Sequence, residues 1–409
     1  MEQHPFVKGS LCNACSDIFK PCIFVIGYDN KCYYCTICAG SGMVVMCDNE
    51  DCPRVYCTAC LKYLMYPDTY DNVLMEDPWK CILCKINVVS TSNEIILPRL
   101  DWKEKIGHIF RTGPSSSTTM MDHDHVKGKM RVLSLFDGLS TGLLVLLKLG
   151  ITIEVYYASE IDKDALTVSS SHYGDRIIYL GDVRGITEQK IKEIAPIDLL
   201  IGGSPCNDLS LVNPARLGLH DPNGTGILFF EYSRIMKLLK KANKRRHLFW
   251  LYENVASMPT KYRLEINRHL ETEPDVIDSA DFSPQHRLRL YWHNLPIDAN
   301  TLALESRQDI QDVLTKHCNR YALVKKIRTV TTRVNSLKQG KMALKPILMK
   351  DEADSLWITE LEEIFGFPRH YTDVKNLSAT KRQKLIGKAW SVQTLSAIFR
   401  SLRPLYEHN

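Results

Sequence analysis

Twelve of the fourteen cysteines in this 409-residue chain lie between Cys12 and Cys84, and only Cys206 and Cys318 follow. That asymmetry divides the chain into a cysteine-dense front and a long remainder, each able to form its own domain. Cys35-x-x-Cys38, Cys47 with Cys52, Cys57-x-x-Cys60 and Cys81-x-x-Cys84 supply eight candidate ligands in four pairs. No signal peptide precedes them, and no apolar run reaches the ~18 residues of a membrane span. A reducing intracellular compartment is therefore expected, where such pairs bind zinc rather than form disulfides.

Charge is distributed just as unevenly. Residues 48–77 hold seven acids against Arg54 and Lys62, whereas residues 321–350 carry eight Lys or Arg and no acid. An acidic module and a basic face in one chain predict two different partners. The run Lys240, Lys241, Lys244, Arg245 and Arg246 reads as a solvated face rather than a DNA contact.

After the cysteines, residues 113–127 lack periodicity and read as a flexible linker. The remainder begins with a strand, Met130–Phe136, and a glycine-bearing turn, Asp137 to Gly142, which opens a helix. The next strand ends in Glu160, where a carboxylate can take both hydroxyls of a ribose. A third strand leads to Asp182, placed to accept from an adenine amino group. No phosphate-binding lysine accompanies them, which suits a cofactor without phosphates. The apolar run Ile197–Ile201 predicts a buried parallel strand. Pro205-Cys206 follows at its carboxyl end, where α/β sheets bind ligands. A second buried run ends in Glu253-Asn254-Val255, and Gln285-His286-Arg287-Leu288-Arg289 adds two cations. A thiol nucleophile, a carboxylic acid and a basic clamp are the equipment for attacking an electron-poor ring.

Phe136-Asp-Gly-x-x-x-Gly, Pro205-Cys206, Glu253-Asn-Val and Gln285-x-Arg-x-Arg in this order resemble the DNA (cytosine-5) methyltransferases. Ser204-Pro-Cys-Asn-Asp-Leu-Ser-Leu-Val-Asn-Pro-Ala-Arg216, Thr331-Thr-Arg-Val-Asn-Ser-Leu-Lys-Gln-Gly340 and Phe365-Gly-Phe-Pro-Arg-His-Tyr-Thr-Asp-Val374 are similar to the de novo subfamily. The likeness runs from about residue 4 to the end and includes no PWWP domain. It implies an α/β, class I (Rossmann-like) S-adenosylmethionine-dependent methyltransferase domain at 128–409. An ADD-type zinc domain, a GATA-like finger fused to a PHD-like one, would occupy 1–112. Cys206 would attack carbon 6 of cytosine, Glu253 would donate to ring nitrogen 3, and Arg287 and Arg289 would assist the thiolate. Asn254 would anchor the loop of Glu253. The cofactor pocket would comprise Phe136, Asp137, Gly138, Thr141, Glu160, Ile161, Asp182, Val183 and Trp390, although Lys388-Ala389 replaces the family's Arg-Ser before that tryptophan.

In the zinc domain, interleaved pairing would give one site from Cys35, Cys38, Cys57 and Cys60 and another from Cys47, Cys52, Cys81 and Cys84. The GATA-like finger retains Cys12 and Cys15, with Cys22 and Cys32 as substitutes for its missing pair. The resemblance implies recognition of the N-terminal tail of histone three by Asp29, Val44, Met46 and Trp79. Double-stranded DNA with CpG sites would be held by Val212, Pro214, Arg328, Thr329, Thr331, Thr332, Arg333, Asn335 and Lys338. Arg333 would read the guanine from a target-recognition segment at about 320–345. Nuclear localisation and oligomers with related subunits follow from the same likeness. Those oligomers would form through the Gly226–Met236 helix and through His370 and Asp373.

Overall fold

The computed structural model describes residues 1–27, 30–49, 51–65, 69–85, 96–110, 128–244, 246–297, 308–332, 334–338 and 345–406. The expected linker, Asp29, Arg333 and the side chain of Asn335 lie outside the described residues.

The front of the chain has little regular structure. A two-residue pair, β1 (Glu2–Gln3) and β2 (Ser10–Leu11), leads into the helix Asn13–Cys22. Two further antiparallel strands, β3 (Val44–Met46) and β4 (Val55–Cys57), sit between the cysteine clusters. The apolar interior is small. Tyr56 and Trp79 meet edge to face at 5.7 Å, and Phe6 packs near Phe19 and Trp102.

The larger domain is built on seven strands. These are β5 (Met130–Leu135), β6 (Ile153–Ser159), β7 (Ile177–Tyr179), β8 (Leu199–Gly202), β9 (Phe249–Val255), β10 (Asp275–Asp278) and β11 (Leu288–His293). Their order is β10-β11-β9-β8-β5-β6-β7, with β11 antiparallel to both its neighbours and the other pairings parallel. β5 and β8 are adjacent although two strands, β6 and β7, separate them in sequence, so the chain reverses its winding there. The crevice at that reversal, at the carboxyl ends of the strands, is where such sheets bind ligands. β5, β8 and β9 carry almost unbroken apolar runs because helices cover both faces.

A three-stranded antiparallel sheet of β12 (Arg320–Ala322), β13 (Ile347–Met349) and β14 (Glu352–Asp354) supports the expected target-recognition segment and extends beyond its predicted end. Arg320 fixes this sheet to the helix Ile358–Ile364. Its fully buried guanidinium donates twice to Glu360 at 2.8 Å, pairs with Asp354 and lies 4.0 Å from the Trp357 ring. The cysteine-dense front packs against the larger domain. Its helix Trp102–Gly107 lies along β10, and Thr260 donates to the Asp17 carbonyl at 2.7 Å. Arg263 stacks 4.1 Å from the Phe110 ring.

Candidate active site and metal centres

Cys206 lies four residues beyond β8, in a turn closed by Leu209 and Ser210 donating to its carbonyl. Gly202 of β8 pairs with Tyr252 of β9, which places the next residue, Glu253, beside that turn. Arg289 of β11 pairs with Val255 and reaches Glu253 with Nε 2.9 Å from Oε1. The charges of Arg289, Glu253 and Arg287 all act on the half-buried thiol. Burial nevertheless pushes the Cys206 thiol above the usual cysteine range, and the pull of Arg289 and Arg287 does not reverse it. The expected thiolate assistance is present in sign and outweighed in size.

Trp390 donates its indole N–H to Glu253 Oε2 at 3.0 Å, so both carboxylate oxygens have a partner. Gly203 makes room for this arrangement. A Cβ there would stand 2.9 Å from Glu253 Oε2 and 3.1 Å from the indole nitrogen.

Two expected roles change. Asn254 donates to the Ser204 carbonyl and to the Tyr252 hydroxyl, which itself bonds Ser204 Oγ at 2.7 Å. It therefore ties down the loop of Cys206 as well as its own strand. Arg287 is buried, and its guanidinium donates to the carbonyls of Val330, Gly387 and Ala389. Those bonds join β11 to the target-recognition segment and to the helix Ala379–Lys388, so Arg287 is a clamp on backbone rather than a free cation.

The cofactor residues converge at the ends of β5, β6 and β7. Glu160 accepts from the backbone N–H groups of Gly138, Ile161 and Asp162 at 2.7–2.8 Å. Three of a carboxylate's roughly four acceptor positions are thus taken, leaving room for one ribose hydroxyl rather than two. Phe136 is half-buried with φ +58°, and Ile161 is 65% exposed beside Glu160, which leaves apolar surface for a base. Asp182 is held below the usual carboxylate range by Arg184, whose Nε donates to it at 3.1 Å. An adenine amino group would have to displace that cation. Asp137 faces inward, accepting from Ser140 and Tyr156, and burial raises it. Thr141 and Val183 are also buried, so these three shape the pocket from behind. The acceptor left on Glu160 and the open apolar surface fit S-adenosylmethionine.

Around the DNA face, Val212, Pro214, Thr331, Thr332 and Lys338 are exposed. Arg328 is not: it is 5% exposed, with Nε on the Ser336 carbonyl. The Thr329 hydroxyl donates to the His286 carbonyl at 2.7 Å. Both brace the recognition loop instead of reaching outward. The loop also packs tightly on Gly387, where a Cβ would stand 2.5 Å from the Thr331 oxygen.

The interleaved cysteine pairing appears as expected. Cys35, Cys38, Cys57 and Cys60 form one group and Cys47, Cys52, Cys81 and Cys84 another, the sulfurs of each within 4.8 Å of one another. Backbone N–H groups point at these sulfurs, among them Cys57 to Cys35 at 3.2 Å and Cys81 to Cys47 at 3.3 Å. Donors aimed at sulfur favour thiolates, and four clustered thiolates suit tetrahedral Zn²⁺. Lys31, which stands where the resembled family carries an acid, places its ammonium on the carbonyls of Cys47, Asn49 and Cys52. Among the described residues there is no third group. Cys12 and Cys15 are exposed, whereas Cys32 is buried with its thiol on the Ile23 carbonyl. Of the histone-facing residues, Val44 and Met46 are half-buried on β3, and Trp79 is a core residue at 5% exposure.

Residues 130–302 match the family described as C-5 cytosine-specific DNA methylase, and residues 35–84 match the DNMT3 ADD PHD zinc finger. The DNA (cytosine-5)-methyltransferase 3-like protein of Homo sapiens is 26% identical over 314 residues, 75% of this chain and 72% of that protein. The Mus musculus protein of the same name is 24% identical over 298 residues, 72% of this chain and 63% of its own length. Among solved structures, the Entamoeba histolytica methyltransferase EhMeth matches the fold with a TM-score of 0.54 at 14% identity, covering 69% of this chain and 100% of that one. The chain thus joins a DNMT3-type ADD zinc finger to the C-5 methylase domain of the DNA cytosine methyltransferases, and is homologous to the 3-like proteins.

Proposed function

We propose that this chain is a de novo DNA methyltransferase, acting on cytosine in CpG through a covalent Cys206 adduct and reading the histone-three tail with its zinc module. The observation that carries the reading is the meeting of Cys206, Glu253 and Arg289 at adjoining strand ends. Carbon 5 of cytosine is a poor nucleophile. As the Cys206 thiol gives up its proton to water, its sulfur adds to carbon 6 and turns the ring into an enamine, while Glu253 in its protonated form donates to nitrogen 3 and takes that proton back on elimination. S-adenosylmethionine, held by Phe136, Glu160, Ile161 and Trp390, supplies the methyl group. Loss of the carbon 5 proton to water and elimination of Cys206 then free the product. Because Glu253 is held by Trp390 and Arg289, the incoming base must take the place of at least one of them. Flipping that base from the stack costs a few kcal/mol, and the exposed Val212 and Pro214 are placed to fill the gap. For the histone tail, support comes from β3, which pairs only with β4 among the described residues and so leaves an edge for strand addition. DNA and a histone tail place the protein in the nucleus.

A second reading is a regulatory subunit that stimulates a partner methyltransferase. It draws on the burial-raised thiol. Labelled S-adenosylmethionine and an unmethylated CpG duplex separate the two. Methyl transfer that vanishes in Cys206→Ala supports the enzyme. No transfer, with cofactor binding and zinc content intact, selects the regulatory subunit.

A further inference from the structure

The helix Leu228–Ala242 carries Lys237, Lys240 and Lys241, and Lys244 follows its end. The spacing i, i+3, i+4 puts the three helical lysines on one stripe, Lys244 follows just beyond its end, and all four are exposed. A groove of about 350 Å³ runs beside the stripe, floored by Ile191, Leu238 and Ala242 and rimmed by Lys192, Lys241 and Lys244. Two acids face these cations: Glu188, which lines the groove, takes Lys192 at 2.9 Å and also acts on Lys241, and Glu271 stands 3.7 Å from Lys240.

The platform is rigid. Asn243 is buried and bonds both the N–H and the carbonyl of Ile197, which pins the helix end to the sheet. Arg246 is bound to the buried Asp198 at 2.6 Å. Lys244 has φ +54°, the left-handed conformation just past a helix end where glycine or asparagine is usual. Cations in the last turn complement the helix dipole, which accounts for Lys240 and Lys241. The dipole accounts neither for Lys237 nor for a lysine in the left-handed position after the helix. A receptor that takes basic runs as extended peptide would have to extract Asn243 and Arg246.

We propose that this stripe is a second DNA-backbone surface, separate from the catalytic cleft. A regular row of cations on a fixed helix fits a regular row of phosphates, and their recognition needs no base contact. Fifteen helical residues span about 22 Å, and the lysines sit at the end remote from the Cys206 loop. Only DNA longer than the cleft's own footprint, or a second segment, reaches them. The proposal does not depend on methyl transfer, because binding is its readout.

The test compares wild type with Lys241→Gln/Lys244→Gln on duplexes of about 14 and about 40 base pairs across a salt series, each carrying one CpG. Losing two phosphate contacts should lower the slope of log Kd against log salt by about 2, and weaken the long duplex about tenfold near 0.1 M salt. The short duplex should change less than about twofold, with its methylation rate unaltered if transfer occurs. Equal affinities for the long duplex, or equal losses on both lengths, overturn the proposal. Lys241→Arg/Lys244→Arg should restore binding, and failure to do so would also refute a charge contact.

Discussion

The thiol of Cys206 and the carboxylate of Glu253 show what the resting site still lacks. Burial keeps the thiol protonated, and the carboxylate is shared between Trp390 and Arg289. In the free protein, alkylation of Cys206 by iodoacetamide should rise with pH through a midpoint above that of an ordinary cysteine. Arg289 is the strongest influence in the opposite direction, so Arg289→Ala should raise the midpoint further and slow alkylation at pH 8. A midpoint at or below the free-cysteine value would contradict this account. At Gly387, an added methyl must displace the Thr331 backbone. Gly387→Ala should therefore raise the KM for DNA several-fold while leaving cofactor affinity nearly unchanged, measurable by steady-state kinetics and calorimetry. Cys206 and Glu253 were legible in sequence because the reaction fixes both residue type and neighbours. Arg287 was not. Its carbonyl partners lie 43, 100 and 102 residues away, and no local pattern announces a clamp over such distances.

Among the elements, the zinc knuckles and the small recognition sheet rest on different forces. The knuckles have little apolar interior, so their ligands hold the fold. Two zinc ions per chain are expected by elemental analysis. Cys47→Ser should lower that to one, whereas Cys12→Ser should leave two. Three ions in the wild type would show that the exposed Cys12–Cys15 pair recruits ligands not seen here. The recognition sheet is held by the buried Arg320–Glu360 pair. Arg320→Ala strands a buried carboxylate and should cost about 3–5 kcal/mol, visible in chemical unfolding. The four cysteine pairs were readable from spacing and their interleaved order from the likeness to a PHD finger, while the glycines after Met130–Phe136 announced a strand–turn–helix unit. Trp79 was not placed by spacing, since a tryptophan beside a zinc pair can line a surface or fill a core. Only the edge-to-face contact with Tyr56 distinguishes these. Arg328 likewise sits in a basic run whose composition predicts an outward face, yet the Ser336 carbonyl draws it inward.

At the scale of the whole molecule, the zinc module and the methylase domain share an extended contact. It includes Thr260 with Asp17 and Arg263 against Phe110. Burial pushes the Arg263 guanidinium down to about 10, consistent with a cation enclosed between the two parts. The consequence lies at the margin of the large sheet. β10 is a terminal strand, with pairing on one side only, yet Asp275, Val276 and Ile277 are all buried. The helix Trp102–Gly107 covers them, with Gly107 close against the Val276 carbonyl and His108 3.7 Å from Asp275. An uncovered terminal strand is a template onto which another chain can add. The zinc module therefore covers the edge through which the sheet could self-associate. A shortened protein beginning near residue 128 would present a bare ladder of backbone donors and acceptors, and would be expected to precipitate where the intact chain stays dispersed.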